Sequence, residues 1–194
     1  MTETTLILAS TSPYRRELLQ RLGVPFEVAA PGTNEGRRAG ESPAEMVARL
    51  AREKAAAVAD RHGAGLVIGS DQCAVLAGAV LGKPGSYDRA ISQLQAASGH
   101  TVRFLTAVCV QDAATGKIRE ALDETVVKFR ALDADEIRRY VEREQPLDCA
   151  GSFKSEGLGI TLFERIENRD PSALMGLPLI ALAGLLRDAG IALP

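Results

Sequence analysis

Apolar and polar positions along the chain follow two rhythms, continuous short runs and helical stripes, and they alternate from the N-terminus onward. Leu6-Ile7-Leu8 is a short apolar run of the kind a buried strand carries. Ser12 suits an N-cap and Pro13 the first helical position, where no backbone N–H is needed, so a helix is predicted from Pro13, stopped by Gly23. Ser42-Pro43-Ala44-Glu45 reads as a capping box, and Met46, Val47, Leu50, Ala51 and Val58 line one face of a helix reaching about Asp60, with Lys54 inside it. Leu66-Val67-Ile68-Gly69 predicts a second buried strand that delivers Ser70, Asp71 and Gln72 at its end.

The second half continues the alternation. Cys73 to Leu81 reads as a short hairpin leading into Gly82-Lys83-Pro84, followed by a helix from about Tyr87 to Ser98 stopped by Gly99. Val102 to Val108 and Glu124 to Arg130 are strand-like. Asp133-Ala134-Asp135-Glu136 opens a helix to about Glu144 with Ile137, Tyr140 and Val141 inward. Ile160 to Ile166 reads as a strand, and Pro178 to Ala189 as a final helix closed by Gly190. With no repeat or linker, this order predicts an α/β fold with a twisted mixed β-sheet flanked by helices. It is one domain over residues 1–194, or two lobes around a central cleft.

Composition narrows the function classes. With 194 residues, 46% hydrophobic and 25% charged, and a formal net charge of −2, no global basic field recruits nucleic acid. The start Met1-Thr2-Glu3-Thr4-Thr5 lacks a basic leader pattern and the apolar run after it is too short for a signal or a membrane span, so a cytoplasmic protein without a membrane partner is expected. Cys73, Cys109 and Cys149 are odd in number and widely spaced, which fits reduced buried thiols. His62 and His100 each sit beside a glycine in a predicted loop, which argues against a histidine metal site or a Ser-His-Asp triad. Chemistry therefore falls to carboxylates, hydroxyls, lysines and arginines.

The Ser10, Thr11 and Ser12 hydroxyls, the free N–H groups of a helix start and the Arg15 and Arg16 guanidiniums could converge on one anion. Asp71, at the tip of an apolar strand, could bind a metal or deprotonate water; as a strand-end residue it could equally be solvated. Glu35, in Pro31-Gly32-Thr33-Asn34-Glu35-Gly36, is by itself a solvated loop acid, but with Asp71 it makes a hard-cation donor pair. Lys54 and Lys83, taken singly, read as exposed cations; facing Arg15 across a cleft they would neutralise a polyphosphate.

In order and spacing these fragments resemble the Maf family of nucleoside triphosphate pyrophosphatases. The resemblance is carried by Ala9-Ser10-Thr11-Ser12-Pro13-Tyr14-Arg15-Arg16, Glu35, Lys54-Ala55, Gly69-Ser70-Asp71-Gln72 and Gly82-Lys83-Pro84. It continues in Cys149 to Gly157 and Gly176-Leu177-Pro178. It implies a Maf/ITPase-like fold and hydrolysis of a nucleoside triphosphate between the α and β phosphates with a divalent cation such as Mg²⁺ or Mn²⁺. By the same resemblance Asp71 is the proton acceptor and, with Glu35, a metal-linked carboxylate, while Ser10, Arg15, Lys54 and Lys83 bind phosphate. Asn34 departs from the family, which often has Asp there, and removes one charge from the metal loop. A homodimer is an analogy with the family alone.

Tyr14, Gln72 and Glu156 vary between family branches. An ionised Glu156 only accepts hydrogen bonds, which suits the N1–H and N2–H₂ donors of guanine, whereas Gln at that position would match a uracil or thymine edge. Tyr14 offers a face to a cationic, N7-methylated base. These residues and Asn168-Arg169-Asp170-Pro171 resemble the branch hydrolysing 7-methyl-GTP, which would remove a modified nucleotide from the pool. The alternatives are a dTTP, UTP or other non-standard nucleotide pyrophosphatase and a nucleotide-binding regulator of cell division.

Overall fold

A computed structural model describes residues 4–194; the Met1-Thr2-Glu3 start lies outside the described residues. The strands are β1 (Leu6–Ala9), β2 (Glu27–Ala29), β3 (Leu66–Leu76), β4 (Ala79–Leu81), β5 (Thr101–Asp112), β6 (Ile118–Phe129) and β7 (Phe163–Glu167). The helices are α1 (Pro13–Gln20), α2 (Pro43–His62), α3 (Tyr87–Ala97), α4 (Ala134–Glu144) and α5 (Leu179–Asp188). Strand order is β2-β1-β3-β5-β6-β7, with β4 paired to β3. β1 runs parallel to β2 and β3, while the β3–β4 and β6–β7 pairs are antiparallel, so the sheet is mixed as expected.

The chain forms two compact units. One holds the described residues up to Asp71 with Thr106–Asp123 and Asp170–Pro194, and the other holds Gln72–Leu105 and Glu124–Arg169. The first has an aliphatic core of Leu6, Leu8, Leu18, Leu19, Leu66, Ile68, Val108, Val110, Leu177, Leu182 and Leu186. The second is built around Phe104, Phe129, Phe153 and Phe163, whose rings meet edge to face at centroid distances of 4.7–5.7 Å. Among the described residues no helix is long and apolar enough to cross a membrane.

Several boundaries differ from the sequence reading. Asp71 does not end its strand: β3 continues to Leu76, because Cys73-Ala74-Val75 stay buried and the end of the strand pairs with β4. α1 stops at Gln20, and Gly23 follows with a positive φ of 68° and an N–H bonded to the Gln20 carbonyl. The expected strand from Ile160 is a 3₁₀ turn over Leu158–Leu162, after which β7 begins at Phe163. The three-residue edge strand β2 was too short and too exposed to register as a pattern. Cys73 and Cys109 are buried, whereas Cys149 is only half-buried and donates to Asp148 Oδ1 at 3.4 Å.

Candidate active site

α2 begins with a reciprocal capping box between Ser42 and Glu45 and ends at Gly63 in the left-handed region. Its inward face carries Val47, Leu50, Ala51, Ala55 and Val58, and in the same phase Lys54, which is 4% exposed. Helical phase alone therefore places Lys54 inside, against the expectation of an exposed cation. Gly69 of β3 lets the helix come that close: a Cβ there would stand 2.1 Å from the Ala51 carbonyl oxygen and 2.7 Å from the Ala55 nitrogen.

The Lys54 ammonium is held between two acids, 2.6 Å from Asp71 Oδ1 and 2.7 Å from Glu35 Oε1. Asp71 is buried and Glu35 exposed. Burial lowers the Arg15 guanidinium below its ordinary value while the charges of Asp71 and Glu35 act in the opposite direction. Four of the expected site residues, Arg15, Glu35, Lys54 and Asp71, thus form one electrostatic cluster inside the first unit.

Sequence reasoning missed the supports of this cluster. Arg15 Nε donates to the Gly176 carbonyl at 2.8 Å, and Ser70 Oγ, beside Asp71, reaches the same oxygen at 2.9 Å. Arg49, buried on α2, binds both oxygens of Glu41 at 2.6 and 2.8 Å, reaches Glu53 at 3.0 Å and donates to the Gly36 carbonyl at 3.1 Å. That fork ties the Glu35 loop to α2. It also holds the Glu41 carboxyl down at about 2 and raises the Arg49 guanidinium. The only sequence signal for Arg49 was its position on the helix beside the apolar stripe.

The start of α1 is built as expected at the backbone, with Pro13 at the first turn, Ser12 Oγ accepting from Arg15 N–H at 3.4 Å and buried Ser10 Oγ accepting from Ser12 N–H at 3.1 Å. A cavity of about 390 Å³ opens there, lined by Ser10, Thr11, Ser12, Pro13 and Arg16 among others. Arg15 is not in its wall. Adjacent helical residues project about 100° apart: Arg16 lines this cavity, and Arg15 feels the charges of the acidic cluster.

Tyr14 is half-buried on α1. Gln72, Lys83 and Glu156 belong to the second unit, where Gln72 is half-buried on β3 and Lys83 and Glu156 are exposed. The Glu156 segment is pinned from α4: Glu144 Oε2 accepts from Leu158 N–H at 2.8 Å, and Lys154 Nζ donates to the Glu144 carbonyl at 3.0 Å.

Among the described residues no three His, Cys, Asp or Glu side chains gather as a cage for a metal ion. The donor set that is present fits a hard divalent cation bound in the sparse manner of Mg²⁺, with two carboxylates and the remaining positions left to water and phosphate oxygens. Glu35 and Asp71 would supply those two carboxylates, since both already reach one cationic nitrogen, that of Lys54.

Comparisons with known proteins bear on the fold and the family. The Ham1 protein of Staphylococcus aureus shares the fold, with a TM-score of 0.55 at 13% identity over 95% of this chain and 99% of that one. A protein of Alcanivorax borkumensis named 7-methyl-GTP pyrophosphatase is 55% identical over 190 residues, 98% of this chain and 96% of its own length. A protein of Xanthomonas oryzae pv. oryzae with the same name is 57% identical over 191 residues, 97% of this chain and 98% of its own. Residues 5–189 match the family described as Maf-like protein, and the chain belongs to the Maf family.

Proposed function

We propose that this protein is a cytoplasmic nucleotide pyrophosphatase that hydrolyses 7-methyl-GTP to 7-methyl-GMP and pyrophosphate with a divalent cation. The observation that carries the hydrolytic reading is the Lys54 ammonium set between Asp71 and Glu35 with Arg15 beside them. The substrate reading rests on the names of relatives at 55% and 57% identity over nearly the whole chain, together with Glu156 and Tyr14.

In this reading a water oxygen forms a bond to the α-phosphorus, the bond from that phosphorus to the α–β bridging oxygen breaks, and pyrophosphate leaves with the electron pair. Asp71 accepts the water proton, and Lys54 fixes the direction of its carboxylate and offsets its charge inside the protein. Arg15 and Ser10 bind phosphate, the family pattern gives Lys83 the same role, and Glu35 with Asp71 would hold the cation. A bound divalent ion would supply charge neutralisation on the phosphates. Glu156 accepts from the guanine N–H donors, and the Tyr14 ring carries the methylated base.

Pyrophosphate release measured over a panel of normal and methylated nucleoside triphosphates, with Mg²⁺ and Mn²⁺, tests the proposal. Turnover of 7-methyl-GTP above GTP, dTTP and UTP is expected, with a loss of at least about 100-fold in Asp71→Asn. Glu156→Gln should move the ranking toward uridine nucleotides. Nucleotide binding without pyrophosphate release at saturating cation would show a regulator instead, and a wild-type preference for UTP or dTTP would overturn the base assignment.

A further inference from the structure

The segment Asp170 to Pro178 supplies the carbonyl that Arg15 and Ser70 share. α5 starts at Leu179 behind Pro178, a residue that cannot cap with its side chain, so the first N–H groups of the helix need acceptors from elsewhere. Asp170 and Ser172 provide them. Ile180 N–H donates to Asp170 Oδ2 at 2.6 Å and Leu179 N–H to Ser172 Oγ at 2.8 Å. Ser172 donates in turn to Asp170 Oδ1, from its backbone at 3.0 Å and its hydroxyl at 2.6 Å. Asp170 is 3% exposed, and a carboxylate at a helix N-terminus is favoured by the helix dipole.

This closed loop of bonds leaves Gly176 little freedom. Its φ of 105° is open to glycine and strained for other residues, its N–H bonds back to the Ala173 carbonyl at 2.9 Å, and Thr106 Oγ1 anchors that carbonyl at 3.0 Å. A Cβ at Gly176 would stand 3.4 Å from Arg15 Nε. The Gly176 oxygen therefore faces Arg15 and Ser70 because the turn around it is tied to the start of α5.

We propose that Asp170 is a positioning residue for Arg15: by capping α5 and binding Ser172 it fixes the turn whose Gly176 carbonyl aims the Arg15 guanidinium. It touches no reacting atom, and its effect on turnover rests on the phosphate-binding reading of Arg15. Asp170→Asn keeps the size and replaces one acceptor oxygen by a donor, so the bond to Ile180 or to Ser172 is lost.

Two readouts separate the inference from that reading. In ¹H–¹⁵N spectra the Arg15 Nε–H signal, assigned by its disappearance in Arg15→Lys, should be protected from solvent exchange in the wild type and at least about tenfold less protected in Asp170→Asn. In kinetics, Asp170→Asn should lower kcat/KM at least about fivefold, and in an Arg15→Ala background its further effect should fall below about twofold. Unchanged protection in folded Asp170→Asn overturns the inference whatever the activity does, as does a full kinetic loss repeated in Arg15→Ala. Lost protection with Arg15→Ala as active as wild type supports the positioning and overturns the phosphate role of Arg15. If Asp170→Asn does not fold, Ser172→Ala carries the same measurements, since Ser172 links Asp170 to the Leu179 N–H.

Discussion

Adding one methyl group to Gly69 should damage both stability and turnover. The new Cβ would lie 2.1 Å from the Ala51 carbonyl oxygen, where ordinary contact begins near 3.4 Å, and 2.7 Å from the Ala55 nitrogen. Both neighbours are helix backbone, which cannot rotate aside, so α2 and β3 must separate by about 1 Å in a close-packed interior. Overpacking of this kind costs about 1–3 kcal/mol, and the backbone contact puts Gly69→Ala near 3 kcal/mol, or a Tm lower by about 6–12 °C for a chain of this size. The same separation pulls Lys54 on α2 away from Asp71 on β3, now 2.6 Å apart, and a displacement near 1 Å at a reacting group costs about 100-fold. Thermal unfolding followed by pyrophosphate release well below the variant Tm reads the two effects separately. Gly184→Ala is the control, since nothing lies within 4 Å of its Cβ and it sits inside α5; it should stabilise by about 0.5–1 kcal/mol. A Gly69→Ala protein with wild-type Tm and turnover would refute the account of how α2 delivers Lys54.

Three further outcomes are expected. Lys54→Met leaves buried Asp71 without its ammonium and should destabilise by about 3 kcal/mol in urea unfolding, with millimolar Mg²⁺ raising the variant Tm more than that of the wild type. Glu41 is held at about 2, chiefly by its hydrogen bonds from Arg49. Its stabilising contribution is therefore present above its ordinary value of 4.5 and lost as pH falls from there toward 2, so Glu41→Gln should flatten the Tm against pH curve in that window. Burial pushes the Cys109 thiol up to about 12, so at pH 8 a maleimide should label half-buried Cys149 and leave Cys109 untouched in the folded protein; equal labelling would contradict the packing around β5.

The local rhythm of the chain determined a great deal: the capped starts of α1 and α2, the apolar stripe of α2, the buried run of β3 and the mixed α/β class all follow from nearest-neighbour chemistry. The acids and cations of the cluster were legible too, as residue types at matching places in a family pattern. What the sequence could not show is which of them meet. Helical phase puts Lys54 on the buried face of α2, but the close approach at Gly69 is what sets it between Glu35 and Asp71, and Arg15 and Arg16, adjacent in sequence, face different surroundings. Asp170 reaches Ile180 across a turn and fixes a carbonyl for Arg15, which is 161 residues from Gly176. Contacts at such separations depend on backbone approach distances and on the helix faces that packing brings together, and only the folded chain sets those.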